Sequence, residues 1–304
     1  MTDAPRTPGV SDPEPCGSGP SGEPPPPARL GEALAAWFQT PPGRYLLDWE
    51  RERYAAAVAD AFGYHALQLG LPQLDALAGN RMPHRWLALP EAPVAGNGNG
   101  EGVGGVGADG EAGRPRAVDL VTHAAALPFP AASLDLVLLP HTLELSADPH
   151  AVLREVERVL VPNGRVIVTG LNPASLWGLR QFRARAAQRL GLGRTRCARL
   201  YLPEAGAFIG PWRLRDWLRL LSFEVAATEH GCYRPAVVTE RWLQRTAWMD
   251  RLGARWWPML GAVYFIVAVK RVRGLHLLGP AWRPTRAAAA PAVVARRDRD
   301  RSTI

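Results

Sequence analysis

Residues 127–168 read LPFPAASLDLVLLPHTLELSADPHAVLREVERVLVPNGRVIV, and this stretch decides the fold class because strand, helix and strand signals follow one another. Leu134–Leu139 is a short apolar run with Asp135 near its start, as expected of a parallel strand buried on both faces, and Pro140 ends it. Asp148 followed by Pro149 marks a helix start, since the carboxylate can cap free amides while proline fills the first helical position. Leu153, Val156 and Leu160 recur at helical spacing, with Arg154, Glu155, Glu157 and Arg158 on the other face. Asn163 and Gly164 supply a turn, and the β-branched run Val166–Val168 returns to the sheet.

Outward from this unit, Arg29–Phe38 and Asp48–Ala61 read as helices separated by the turn residues Pro41, Pro42 and Gly43. His65–Leu69, Arg85–Leu89 and Ala117–Val121 read as strands, with a helix over Pro72–Ala78. Downstream come a helix over Ala174–Leu190, a second over Trp212–Leu221 with Trp217, Leu220 and Leu221 on its apolar side, and strands at Phe223–Ala227 and Val263–Val269. Residues 1–27 are rich in Pro, Gly and Ser and read as a flexible tail, as do 276–304; the domain is expected over 28–275. The glycine-rich run 95–113 reads as a disordered insertion. Gly102, Gly104 and Gly107 within it spell a dinucleotide fingerprint, but no helix pattern follows, so a nicotinamide or flavin site is rejected.

Several of these segments together resemble the class I S-adenosylmethionine-dependent methyltransferases of the type 11 group. The matching residues are Leu127-Pro128-Phe129, then Leu134-Asp135, then Arg158–Leu160 and the turn Pro162–Gly164. With lower specificity the resemblance runs from about Tyr64 to about Arg271, in a bacterial branch with a degenerate glycine-rich motif. It implies an α/β fold: a Rossmann-like, seven-stranded, mostly parallel sheet with helices on both faces and an antiparallel last strand, with helices 28–61 covering the cleft. It also implies S-adenosylmethionine as cofactor and methyl transfer to an unidentified acceptor, expected to be a small molecule.

In such a sheet the cofactor lies at the carboxyl ends of the strands. The family places an acid and several glycines after its first strand; here Gln68 and Gly70 stand in those positions. Glu91 matches the ribose-binding acid after the second strand, with an exposed loop glutamate as the alternative. His123 occupies the adenine-side position after the third strand, and Ala124, Leu127 and Pro140 complete the expected cofactor lining. His141, after the fourth strand, is the expected catalytic residue, able to orient or deprotonate an acceptor near neutral pH; Glu144 is a weaker candidate. Asn172-Pro173 reads either as a wall of the substrate mouth or as a plain turn. Two other readings stand beside the enzyme: a relative of the same fold that binds or regulates without catalysis, and a nucleic-acid methyltransferase. Asn172-Pro173-Ala174-Ser175 departs after two residues from the Asn-Pro-Pro-aromatic motif that the last would carry.

The chain has 304 residues and a net charge of +8, and Lys270 is its single lysine. Arginine therefore supplies nearly all the positive charge, and the cluster Arg180, Arg183, Arg185, Arg189, Arg194, Arg196 and Arg199 reads as a solvated face rather than a phosphate patch. Cys16, Cys197 and Cys232 form neither a disulfide framework nor a metal pair, so no metal is expected and a reducing cytoplasm is. Neither end resembles a signal peptide, and Trp256–Val269 is shorter than the ~20 residues of a membrane-spanning helix. Trp177, Trp212, Trp217, Trp242, Trp248, Trp256 and Trp257 are expected mostly in the core or under a lid, an aromatic substrate pocket being the sharper alternative.

Overall fold

The computed structural model describes residues 27–90, 117–190, 200–202 and 208–271. The expected tails lie outside the described residues, apart from Pro27, as do the insertion 95–113, Glu91, Cys16, Cys197, Arg194, Arg196 and Arg199. In chain order the elements are α1 (Pro27–Phe38), α2 (Pro41–Ala59), β1 (His65–Leu69), β2 (His84–Leu89), β3 (Leu120–Val121), β4 (Leu134–Pro140), α3 (Thr142–Leu145), α4 (Pro149–Val159), β5 (Leu160–Leu171), α5 (Leu176–Arg189), α6 (Pro211–Leu220), β6 (Phe223–Gly231), α7 (Glu240–Arg245), α8 (Trp248–Trp256) and β7 (Val263–Lys270).

The seven strands lie in the order β3-β2-β1-β4-β5-β7-β6. Strands β1 to β5 pair in parallel, while β7 runs antiparallel to both β5 and β6. The fold is therefore the Rossmann-like, mostly parallel sheet with an antiparallel last strand. That last strand is inserted between β5 and β6, so β6 forms the edge.

Pleating divides the core. Leu136 and Leu138 of β4 join Ile167 and Phe265 on one face, packed against residues of α1, α2 and α5. Val137 and Leu139 join Val166, Val168 and Ile266 on the other, against Val152, Val156 and Val159 of α4 and Leu214 and Leu218 of α6. A one-residue slip of β4 would exchange these sets, so helices on both faces fix its register. Asp135 stands at the start of β4 for a local reason: its Oδ2 accepts the Tyr64 and His65 amides at 2.8 and 2.9 Å, tying the start of β1 to β4.

The unit read from 127–168 forms as its chemistry requires. Asp148 accepts the Ala151 amide at 3.0 Å with Pro149 in the first turn, and Leu153 and Val156 are fully buried. Glu155 of α4 accepts the Leu127 amide at 2.8 Å, and Arg158 donates to the Leu127 and Phe129 carbonyls at 3.2 and 2.9 Å. The LPF segment and the helix ending in Arg158 are thus one clamp, which explains why they occur together in the sequence. Asn163 has φ +65°, and the pairing jumps from Leu134–Leu160 to Leu136–Arg165, so 161–164 form a bulge at the head of β5 rather than a separate turn.

Other expectations are corrected. Pro41 and Pro42 do not separate helices; they occupy the first turn of α2, where their missing amides cost nothing, and Thr40 caps the helix by accepting the Gly43 amide. Gly43 is required there because a Cβ would strike the Trp37 carbonyl of α1. Pro72–Ala78 is a series of turns, not a helix, following Gly70 and Leu71 at φ +82° and +48°. The expected third strand, 117–121, shrinks to Leu120–Val121, because the Asp119 carboxylate takes the Leu87 amide that a longer ladder would use. On α6 the buried residues are Leu214 and Leu218, whereas Leu220 is exposed. Of the tryptophans named above, Trp177 alone is fully buried; Trp212, Trp242, Trp248, Trp256 and Trp257 are exposed. Arg180 donates to the Ala236 carbonyl and stacks over Tyr201, so part of the arginine cluster serves packing.

Candidate functional site

Gly70, Pro90, His123, His141 and Asn172 follow β1 to β5 at the carboxyl ends of the parallel strands. Gly70 and Pro140 come together there: a Cβ on Gly70 would lie 3.4 Å from Thr142 Oγ1 and 3.9 Å from the Pro140 carbonyl oxygen. Thr142 Oγ1 itself donates to the Leu69 carbonyl at 2.5 Å, joining the ends of β1 and β4. The space beside Gly70 is bounded by the Thr142 hydroxyl and the Pro140 carbonyl, and at φ +82° Gly70 adopts a conformation that side-chain-bearing residues rarely take.

Gln68 does not face this space with a free amide. Its Nε2 is shared among the carbonyls of Gly70, Leu71 and Leu74 at 3.2, 3.1 and 2.6 Å, and its Oε1 accepts the Ala76 amide at 3.0 Å. Gln68 thus holds the loop that stands where a helix was expected. Leu127 is likewise a core residue, 5% exposed, with its amide committed to Glu155. Ala124 is half-buried, and His123 is exposed with Nδ1 accepting the Ala125 amide at 3.3 Å. Neither is brought against Gly70 by any contact among the described residues.

His141 sits in the left-handed region at φ +53°, fully buried, with its ring beside Phe38 of α1. A residue without glycine's freedom held in this conformation indicates that the surroundings over-determine it. Its Nδ1 lies 2.9 Å from Oε2 of Glu144, and its Nε2 lies 3.0 Å from Oε1 of Glu50 on α2. Glu144 Oε1 in turn accepts the Leu171 amide at 2.5 Å, so the cluster links β4, α3, α2 and β5. Burial alone pushes the imidazole pKa down, but the Glu50 charge beside Nε2 and the Glu144 carboxylate bonded to Nδ1 outweigh it and raise it to about 10. Burial also raises Glu144, against the pull of His141. The two shifts have opposite causes: the carboxylates beside His141 raise the imidazole against burial, whereas burial raises Glu144 against His141. The raised pKa favours the protonated imidazole at neutral pH, and a general base must hold an unprotonated nitrogen.

Glu50 is the member of this buried cluster that reading the sequence missed. It lies in the charged run Asp48-Trp49-Glu50-Arg51-Glu52-Arg53, yet Leu46, Glu50, Tyr54 and Val58 recur at i, i+4 and are all buried. A carboxylate on the apolar stripe of a helix was the available signal.

A groove of about 570 Å³ lies elsewhere, between α2 and the α7–α8 segment, lined by residues including Tyr45, Trp49, Arg234, Leu243 and Asp250. It shares no lining residue with Gly70, Pro140 or His141, so strand ends and buried charge, rather than cavity size, locate the site. Asn172, buried, donates to the Met259 and Gly261 carbonyls at 2.8 and 3.0 Å, tying the end of β5 to the turn before β7, and its Oδ1 accepts the Ala174 amide at 3.1 Å ahead of α5. Among the described residues no group of three or more His, Cys, Asp or Glu is arranged to hold a metal ion.

Sheet order and the antiparallel strand inserted between β5 and β6 make this a Rossmann-like, mostly parallel seven-stranded sheet flanked by helices. Residues 107–168 match the model of a family described as a methyltransferase domain. The chain is 34% identical over 151 residues to the uncharacterized protein YafS of Escherichia coli strain K12, covering 50% of this chain and 54% of that protein. It thus spans about half the length of this curated relative. Among solved structures, it is similar to a chain in the complex of the Haloferax volcanii Trm112 methyltransferase activator with a methyltransferase (14% identity, 81% of this chain, 100% of that one, TM-score 0.48). A SAM-dependent methyltransferase from Thermotoga maritima gives 16% identity over 80% of this chain and 97% of the other, with TM-score 0.47.

Proposed function

We propose that this protein is an S-adenosylmethionine-dependent methyltransferase acting on a small-molecule acceptor, with its cofactor at the carboxyl ends of β1, β2 and β4. The observation that carries this reading is the space beside Gly70, where positive φ and the absence of a Cβ let a ligand approach the backbone. The methyltransferase-domain match over 107–168 supports it. The residues that would hold the cofactor are Gly70 and Pro140, with the loop at His123 and Ala124 on the nucleoside side and Glu91 toward the ribose. When bound, the group supplies an electrophilic methyl; the chain supplies alignment and exclusion of water, which can lower a two-reactant barrier by ~7 to 11 kcal/mol. His141 acts in this scheme by fixing α2 over the strand ends through Glu50. Thermal melts of the full chain with S-adenosylmethionine and with its demethylated product test the reading. It requires a raised melting temperature with both, since a ligand that binds the folded state alone stabilises it. No shift with either ligand at millimolar concentration contradicts it.

A second reading, a binding or regulatory relative without catalysis, is favoured by one observation: Gln68 commits its whole amide to its own loop, and turns replace the first helix. Binding of both ligands with no labelled methyl transferred to any component of a cell extract would select it.

A further inference from the structure

We propose that the outer face of α8, together with Trp242 of α7 and the turn Pro258–Leu260, docks this protein onto the surface of an anionic lipid bilayer. Trp248, Leu252 and Trp256 follow one another at i, i+4 along α8 and are exposed by 59%, 41% and 68%. Trp257, Met259 and Leu260, just beyond the helix in sequence, are exposed as well, as is Trp242 of α7. The orientation of α8 is fixed from its inner side: Gly253 packs against the Tyr233 ring, and Asp250 accepts from Tyr45 Oη at 2.5 Å and pairs with Arg234 at 2.8 Å. The tryptophans therefore point outward from a helix that is already anchored.

Charge identifies the occupant. Arg251 and Arg255 flank the α8 stripe, and Arg241 and Arg245 are exposed on α7, Arg245 lying 5.4 Å over the Trp242 ring. None of these four arginines pairs with a carboxylate among the described residues, and Asp250 is taken by Arg234, which leaves Glu240 as the exposed acid of the stretch. Unopposed cations interleaved with tryptophan match a layer of phosphate headgroups over acyl chains: indole rings settle at headgroup level, and basic residues are drawn to anionic lipid. No helix among the described residues is long and apolar enough to cross a membrane, so the contact is peripheral.

Cosedimentation of the full chain with phosphatidylcholine vesicles, with and without phosphatidylglycerol, tests the proposal. Binding to the anionic vesicles is expected to be at least ~10-fold tighter and to weaken as salt screens the arginines. Both Trp248→Ser/Trp256→Ser and Arg251→Glu/Arg255→Glu should lose ~10-fold or more in vesicle affinity without lowering the melting temperature, because these side chains are exposed. Failure to bind anionic vesicles, or equal binding by both variants, overturns it. So does a dimer in light scattering that both variants dissociate, which would assign the face to a second copy of this chain.

Discussion

His141 Nε2 lies 3.0 Å from Glu50 Oε1, and both side chains are fully buried, so an ion pair in the dry interior joins the end of β4 to the covering helix α2. Such a pair is a weak source of net stability but a strong constraint, because removing either partner strands the other. It also gives the fold a definite pH dependence.

The His141 pKa is raised from 6.5 in the unfolded chain to about 10 in the folded one. Its contribution is fully present below pH 6.5 and lost as pH rises through about 10, because in that window the unfolded state binds one proton fewer. The slope is up to ~1.4 kcal/mol of stability lost per pH unit. Glu144, also raised, adds loss of the same sign from the ordinary carboxylate range upward. Denaturant titrations from pH 6.5 to about 8.5 should therefore show falling stability, and His141→Gln should flatten that slope. Equal slopes in parent and variant would show that His141 is not held as an imidazolium.

Glu50→Ala should destabilise by ~3 to 5 kcal/mol, the usual result of breaking one side of a buried pair. Glu50→Gln should be milder, since an amide oxygen still accepts from the imidazolium. Urea midpoints in which both variants match the parent would contradict the burial of this pair.

Gln68→Glu places a carboxylate where the resembled family has its acid, yet it should not improve cofactor binding. The Gln68 amide donates to three carbonyls, and a carboxylate would face those oxygens with no proton to offer. A loss of ~2 to 4 kcal/mol in stability is expected, from unmade buried hydrogen bonds. A variant as stable as the parent, with tighter cofactor binding, would show that the loop 70–76 opens in solution.

The β4–α4–β5 unit was legible in the sequence because each of its signals is local. Asp148 caps, Pro149 starts the helix, and the apolar spacing needs no distant partner. Pro72–Ala78 misled because what prevents its helix is Gln68, which takes the carbonyls and an amide of that loop from outside it. Gly70, Pro140 and His141 were recognisable as residues following strands, but Glu50 is separated from His141 by 91 positions and meets it only through packing. The outward tryptophans of α8 were illegible for a similar reason: helical spacing shows that Trp248, Leu252 and Trp256 share a face, and only Gly253 against Tyr233 shows which face turns in.

The site itself is tested most directly by calorimetric titration of S-adenosylmethionine into the parent and into Gly70→Val. A valine at φ +82° would be strained and would fill the space between the ends of β1 and β4. Saturable one-site binding by the parent is expected, with a loss of at least ~10-fold in affinity for a folded Gly70→Val, equivalent to ~1.4 kcal/mol. No measurable heat with the parent, or equal affinity in both proteins, would contradict it.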